Sequence, residues 1–193
     1  MEIDVRPATS ATFDDLATVL APQDPTSPAC WCLSYRMSSG DLGMQDGPGR
    51  RGLMKKLCGG ATPPGVLAYR DDEVVGWCSV NPRSSYHRLM HSRVIPTVDD
   101  EPVWSVVCFV VRPGFRRQGI ADELLKGAVA FAQERGATAL EGYPADNNGT
   151  PMSSSFAYTG TRALFERAGF SKVSDTTSRT GGIPRVIMRL TAE

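Results

Sequence analysis

One stretch constrains the fold more than any other. Residues 103–111 read Val-Trp-Ser-Val-Val-Cys-Phe-Val-Val, nearly apolar without a break. Such a run belongs to a strand covered on both faces, in the middle of a sheet. It leads through Arg-Pro-Gly-Phe-Arg-Arg-Gln-Gly into a segment with Ile120, Leu124, Leu125, Ala128, Val129 and Ala132 at helical spacing. Gly136 stands where a helix stops in the left-handed conformation. A further strand is expected at 139–143. Strand, turn, helix and strand in that order make a crossover that joins parallel strands.

The other elements fall around this unit. Strands are expected at 3–7, at 65–70 and 74–80 as a hairpin over Asp71-Asp72-Glu73, at 170–174 and at 184–190. Thr12 can cap a helix over 13–20, with Asp14 and Asp15 in its first turn. Residues 48–57 predict a second helix. A last one around Ala163, Leu164 and Phe165 stops at Gly169, with Phe170 placed to fold back onto it. Residues 22–49, 81–102 and 144–155 read as irregular, and long loops in a compact domain are often binding loops or lids.

The 193 residues suit one domain that can bury a core without disulfides. Twenty-one basic and 21 acidic side chains cancel, so no global field recruits nucleic acid. No apolar run approaches the ~20 residues that span a bilayer. The first residues lack the basic-then-apolar pattern of a signal peptide. Five scattered cysteines fit a reduced, cytoplasmic protein.

The turn at 112–119 carries the chemistry. Gly119 permits close backbone approach at a helix start, where the free amides of residues 117–121 and the helix dipole form a cradle for pyrophosphate. Arg116 and Arg117 add positive charge. There is no Gly-Lys-Ser/Thr and no Gly-x-Gly-x-x-Gly, which excludes a P-loop and a dinucleotide-binding turn.

Val-x-Pro-x-x-Arg-x-x-Gly-x-Ala from Val111, followed by Ala-Leu-Phe-Glu-Arg-Ala-Gly-Phe at 163–170, resembles the GNAT superfamily of acetyl-CoA-dependent N-acetyltransferases. The resemblance is specific over 103–170 and looser elsewhere. It implies an α/β fold: a mixed, mostly antiparallel central sheet, a parallel pair at splayed central strands, and about four flanking helices. It implies a single domain over 1–193, with 1–60 on the acceptor side and 103–170 as the cofactor-binding core.

Carried over residue by residue, Phe109, Val110 and Val111 would pair with the pantetheine, and an amide near Val110 would face the thioester oxygen. Arg116, Arg117, Gln118, Gly119, Ile120 and Ala121 would hold the pyrophosphate. The place of the family's base holds Ser105, and the place of its tyrosine acid holds Phe165. Candidate substitutes are Asp99, Asp100, Glu101 or Glu141 acting through water, and Tyr158, seven residues before Phe165 and two helical turns along the same face. Each has a plainer reading: Glu101 as part of a solvated acidic loop, Glu141 as a paired carboxylate, Tyr158 as a packing residue.

Cys30-Trp31-Cys32-Leu33-Ser34-Tyr35-Arg36 is either a segment packed under the sheet or an acceptor-pocket wall, with Trp31 and Tyr35 as faces and Arg36 as a charge. Cys-x-Cys alone is a poor metal motif, and no metal is expected. His87 and His91 could share a helical face and read as surface residues. Cys108 reads as core, with no base evident for an acyl-cysteine route.

The implied partners are acetyl-CoA and an amine acceptor, with no nucleic acid and no membrane; homodimers are common in the family. The first functional reading is acetyl transfer to a primary amine of a small molecule in a ternary complex. Alternatives are acetylation of protein lysine or N-terminal amines, and a non-catalytic acyl-CoA-binding module.

Overall fold

The computed structural model describes residues 2–29, 31–153 and 156–191. Seven strands form one sheet: β1 (Ile3–Pro7), β2 (Gly65–Arg70), β3 (Glu73–Pro82), β4 (Trp104–Val111), β5 (Ala139–Gly142), β6 (Ser171–Thr180) and β7 (Ile183–Thr191), in the order β1-β2-β3-β4-β5-β7-β6. Every neighbouring pair is antiparallel except β4 and β5. That pair is the crossover expected around residues 103–143.

The parallel pairing is short. Only Trp104–Leu140, Ser105–Glu141 and Val106–Gly142 are in register. On the other side of β4, Val80 pairs with Val106 while Ser79 pairs with Cys108. Val107 is therefore a bulge, and a bulge bends its strand. Beyond it β4 parts from β5 and leaves an open edge.

Among the described residues six α-helices flank the sheet: α1 (Phe13–Leu20), α2 (Ser39–Gly43), α3 (Gly47–Cys58), α4 (His87–Met90), α5 (Ile120–Gln133) and α6 (Arg162–Arg167). The short helices α2 and α4 fall in stretches expected to be irregular. Ser38 caps α2 by accepting from the Asp41 amide, a local bond that composition hides. Tyr86 and Leu89, fully buried, pin the turn of α4 to the core. β6 runs well past residue 174 because it is mostly exposed, and its polar residues mask the alternation.

Helix α5 buries Ile120, Leu124, Leu125, Ala128, Phe131 and Ala132 against one face of the sheet. Each buried Leu side chain contributes roughly 1.5–3 kcal/mol. Helix α6 joins this face through Phe165, which is 0% exposed and packs edge-on to Phe109 and Phe170 at 6.1 and 5.1 Å between ring centroids. Gly142 makes room for it, since a Cβ there would lie 2.0 Å from the Phe165 ring. The opposite face carries α1, α3 and residues 31–37.

Candidate functional site

A cleft of about 760 Å³ opens where β4 leaves β5. It is lined by Phe109, Val110 and Val111 on β4 and by Arg116, Arg117, Gly119, Ile120 and Ala121 at the entry to α5. Tyr158 and Met152 close the far side. Nine of the sequence-nominated residues thus share one cavity. Gln118 does not line it; its side chain bridges Arg70 Nη1 (2.6 Å) and the Gly114 carbonyl (2.7 Å).

Gly119 has φ +79°, the left-handed region that glycine enters without penalty. Among the described residues no acceptor pairs the amides of residues 117–121, so they point from the helix start into solvent at the cleft. Arg116 and Arg117 are exposed and have no carboxylate partner among the described residues. Unpaired amides, a helix start and two free cations make an anion site.

The ladder decides which amides of β4 face the cleft. The Arg112 amide donates to the Val75 carbonyl on β3 at 3.0 Å. Successive amides alternate sides, so the Val110 amide also points to β3, while those of Phe109 and Val111 point to the open edge. Arg116 Nε donates to the Val111 carbonyl on that edge at 3.1 Å. Of the amides near Val110, those aimed at the open edge are therefore Phe109's and Val111's.

Tyr158 does not extend α6. It sits in a separate 3-10 turn at Ala157–Thr159, and Gly160 and Thr161 break the chain before Arg162. The two-turn spacing expected from a continuous helix is therefore not the geometry. Instead Tyr158 faces Tyr35, Arg185 and Cys108, and burial, with Tyr35 beside it, pushes its hydroxyl above the ordinary 10. Phe165, the residue at the usual tyrosine position, is sealed in the core and reaches no cleft.

The two glutamate candidates are placed elsewhere. Glu141 is 1% exposed and receives four donors: Arg83 Nη1 (3.3 Å), Tyr143 Oη (3.1 Å), Arg189 Nε (3.1 Å) and Arg189 Nη2 (2.7 Å). A carboxylate has about four lone-pair positions, so none is left for a substrate proton. Its geometry is that of the paired carboxylate. Burial, then the charge of Glu141, pushes the Tyr143 hydroxyl far up, so it stays a donor. Glu101 is exposed in the loop before β4 and accepts from Thr138 Oγ1 at 3.4 Å. About 25 Å of extended chain separates it from Phe109.

On the acceptor face, Trp31 is 3% exposed and stacks on Phe13 at 6.5 Å, so its ring presents no free face. Cys30 lies outside the described residues. Tyr35 accepts from Arg185 Nη1 at 2.7 Å. Arg36 donates to the Pro64 carbonyl (2.7 Å) and Asn81 Oδ1 (3.2 Å), and lines a second cavity of about 520 Å³ with Lys56 and Leu33. His87, at the start of α4, and His91, just past its end, stack on each other at 4.2 Å, both exposed.

Arg185 was not expected. It is 4% exposed and donates to the Tyr143 carbonyl at 2.8 Å, and among the described residues its Nη2 has no partner and no carboxylate pairs with it. Its signal was the alternation of β7, which puts Arg185 on the same face as buried Ile187. Among the described residues no three His, Cys, Asp or Glu side chains converge as metal ligands, and no helix is long and apolar enough to cross a membrane.

A splayed parallel pair, an open strand edge and an anion cradle at one helix start thus meet in this cleft. Residues 40–170 match the family model of the acetyltransferase (GNAT) family, and the chain belongs to that family of acyltransferases. Solved structures share the fold at low identity. An acetyltransferase of the GNAT family from Streptococcus pneumoniae is 13% identical with a TM-score of 0.57, each chain covered at 100%. Ribosomal-protein-alanine N-acetyltransferase from Brucella melitensis is 18% identical with a TM-score of 0.56, covering 98% of this chain and 99% of that one. An aminoglycoside acetyltransferase in complex with coenzyme A is 16% identical with a TM-score of 0.56, covering 98% of this chain and 95% of that one. No curated protein matches in sequence.

Proposed function

We propose that this chain transfers the acetyl group of acetyl-CoA to a primary amine of a small molecule, by direct attack in a ternary complex. The observation that carries the reading is the open edge of β4 at Phe109–Val111 running into the unpaired amides of residues 117–121. The edge suits the amides of pantetheine, and the helix start suits the pyrophosphate. Arg116 and Arg117 supply charge there. The similarity to a structure holding coenzyme A supports the same donor.

The Phe109 amide is the donor for the thioester oxygen, whose charge grows as the amine attacks. An alkylamine has a pKa near 10 and must lose a proton first. Among the described residues the carboxylate lining the cleft is Asp122, and Arg167 holds it at 2.7 Å. The amine's proton therefore leaves through water. Tyr158, protonated at neutral pH, returns a proton to the departing thiolate. The unpaired charge of Arg185, behind Tyr35, favours the anion forming there.

A small acceptor is favoured by the roof over this face. Residues 31–37 are tied down by Tyr35 to Arg185, Arg36 to Pro64 and Arg88 to the Ser34 carbonyl. An open peptide groove has no such cover. The similar structures include enzymes named for a ribosomal protein and for aminoglycosides, so protein amines are the second reading. Four free thiols, at Cys32, Cys58, Cys78 and Cys108, support a reducing, cytoplasmic setting.

The test is release of CoA thiol from acetyl-CoA against a library of small amines beside a set of lysine and free-N-terminus peptides. Turnover on a small amine is expected. Turnover on peptides alone would favour the second reading, and tight acetyl-CoA binding without any turnover would make the chain a binding module.

A further inference from the structure

Two thiols meet beside the splayed strand. Cys32 Sγ and Cys108 Sγ are 3.1 Å apart, although 76 residues separate them in sequence. A disulfide needs about 2.05 Å, so closure asks for about 1 Å of approach. Cys108 follows the bulge at Val107 and precedes Phe109, whose amide faces the cleft. Cys32 holds φ +56°, an uncommon conformation for a non-glycine residue, which persists when its surroundings over-determine it. Those surroundings are Trp31 stacked on Phe13, Leu33 in the core and Tyr35 on Arg185. The roof segment thus holds one thiol directly over the other.

We propose that Cys32 and Cys108 are a redox-modification site: a small-molecule disulfide converts them to an intramolecular disulfide that clamps residues 31–37 to β4. Cys108 is half-buried and Cys32 5% exposed, so Cys108 reacts first. Its thiolate attacks one sulfur of the small disulfide, whose S–S bond breaks, and the departing thiolate takes up a proton. Cys32 then loses its proton and attacks Cys108 Sγ, releasing the second small thiol. Two protein thiols are oxidised, one disulfide is reduced to two thiols, and both protons end on the leaving groups. Before oxidation the Cys32 thiol is held protonated, by its contact with Cys108 and by burial, which protects the pair from adventitious reaction.

The consequence for acetyl transfer rests on the function proposed above; the disulfide itself does not. The clamp draws the roof onto the strand and narrows the acceptor side. Cleft residues 109–121 lie downstream of it, so donor binding stays.

The experiment incubates the full chain with glutathione disulfide and maps the product by mass spectrometry without reduction. Expected are a loss of 2 Da, two fewer titratable thiols, and a peptide joining Cys32 to Cys108, all reversed by dithiothreitol. Cys30→Ser should still form the bond, while Cys32→Ser should leave a glutathione adduct on Cys108. Acetyl-CoA affinity should change less than twofold, and transfer to an accepted amine should fall at least tenfold. A Cys30–Cys108 link, a lasting glutathione adduct on the unaltered chain, or unchanged thiols would overturn the proposal. Failure of acetyl-CoA to bind either form would count against the function and leave the disulfide result standing.

Discussion

The two faces of the sheet manage polarity in opposite ways. On the α5 side the ligand-facing groups are backbone amides, presented by a left-handed glycine and an unpaired strand edge over an apolar core. On the opposite face the polar groups are buried side chains from several elements: Arg83, Glu141, Tyr143, Tyr35 and Arg185. Backbone recognition is encoded locally, in a turn that any reading of the chain can find. Side-chain recognition is assembled from residues up to 150 positions apart, as with Arg185 and Tyr35.

The sharpest way to break this contrast is at Glu141. Removing its carboxylate leaves buried Arg83 without a carboxylate and Arg189 with Asp99 alone, and losing one partner of a buried pair costs about 3–5 kcal/mol. Glu141→Ala should therefore drop the denaturant midpoint strongly, with Glu141→Gln between it and the unaltered chain. A variant that unfolds like the original would mean the roof does not depend on its ion pairs. Tyr158→Phe acts on chemistry alone: kcat should fall about 100-fold with acetyl-CoA affinity intact. An unchanged kcat would assign the proton to water. Burial keeps the Tyr158 hydroxyl protonated past its ordinary 10, so rates should show no alkaline loss from this group below that pH.

Gly119→Val tests the backbone side. A side chain at φ +79° costs about 1–2 kcal/mol, and acetyl-CoA should bind roughly tenfold more weakly in calorimetry. The smallest effect is expected at Asp99, an exposed carboxylate that Arg189 holds below its ordinary 3.8. A depressed carboxylate stabilises the fold above its unfolded pKa and loses that contribution as pH falls through the folded value. Asp99→Asn should thus melt slightly lower at neutral pH and match the parent once pH falls below the folded value.

The same contrast explains what the sequence made legible. Residues 103–143 announce themselves because strand, turn and helix each carry a local period, and their register follows from the chain itself. Gly142 and Phe165 could not be paired by reading, because their fit is a matter of space across two elements. Phe165 was recognisable as a missing tyrosine, but not as a core residue wedged on Gly142. The continuous helix expected through Tyr158 fails at Gly160 and Thr161, where a cap at Thr161 restarts it. Glu141 could be read as a paired carboxylate, but its arginine partners could not be named, since Arg83 and Arg189 lie 58 and 48 residues away.

The central claim is that the open edge of β4 and the start of α5 hold the acyl donor. It is tested most directly by calorimetric titration with acetyl-CoA, CoA and a 3′-phosphorylated ADP lacking pantetheine. Micromolar binding of the first two, at least tenfold weaker binding of the third, and weakening by Arg116→Ala and Gly119→Val are predicted. Equal affinity for all three, or affinity untouched by either substitution, would contradict the assignment of this cleft.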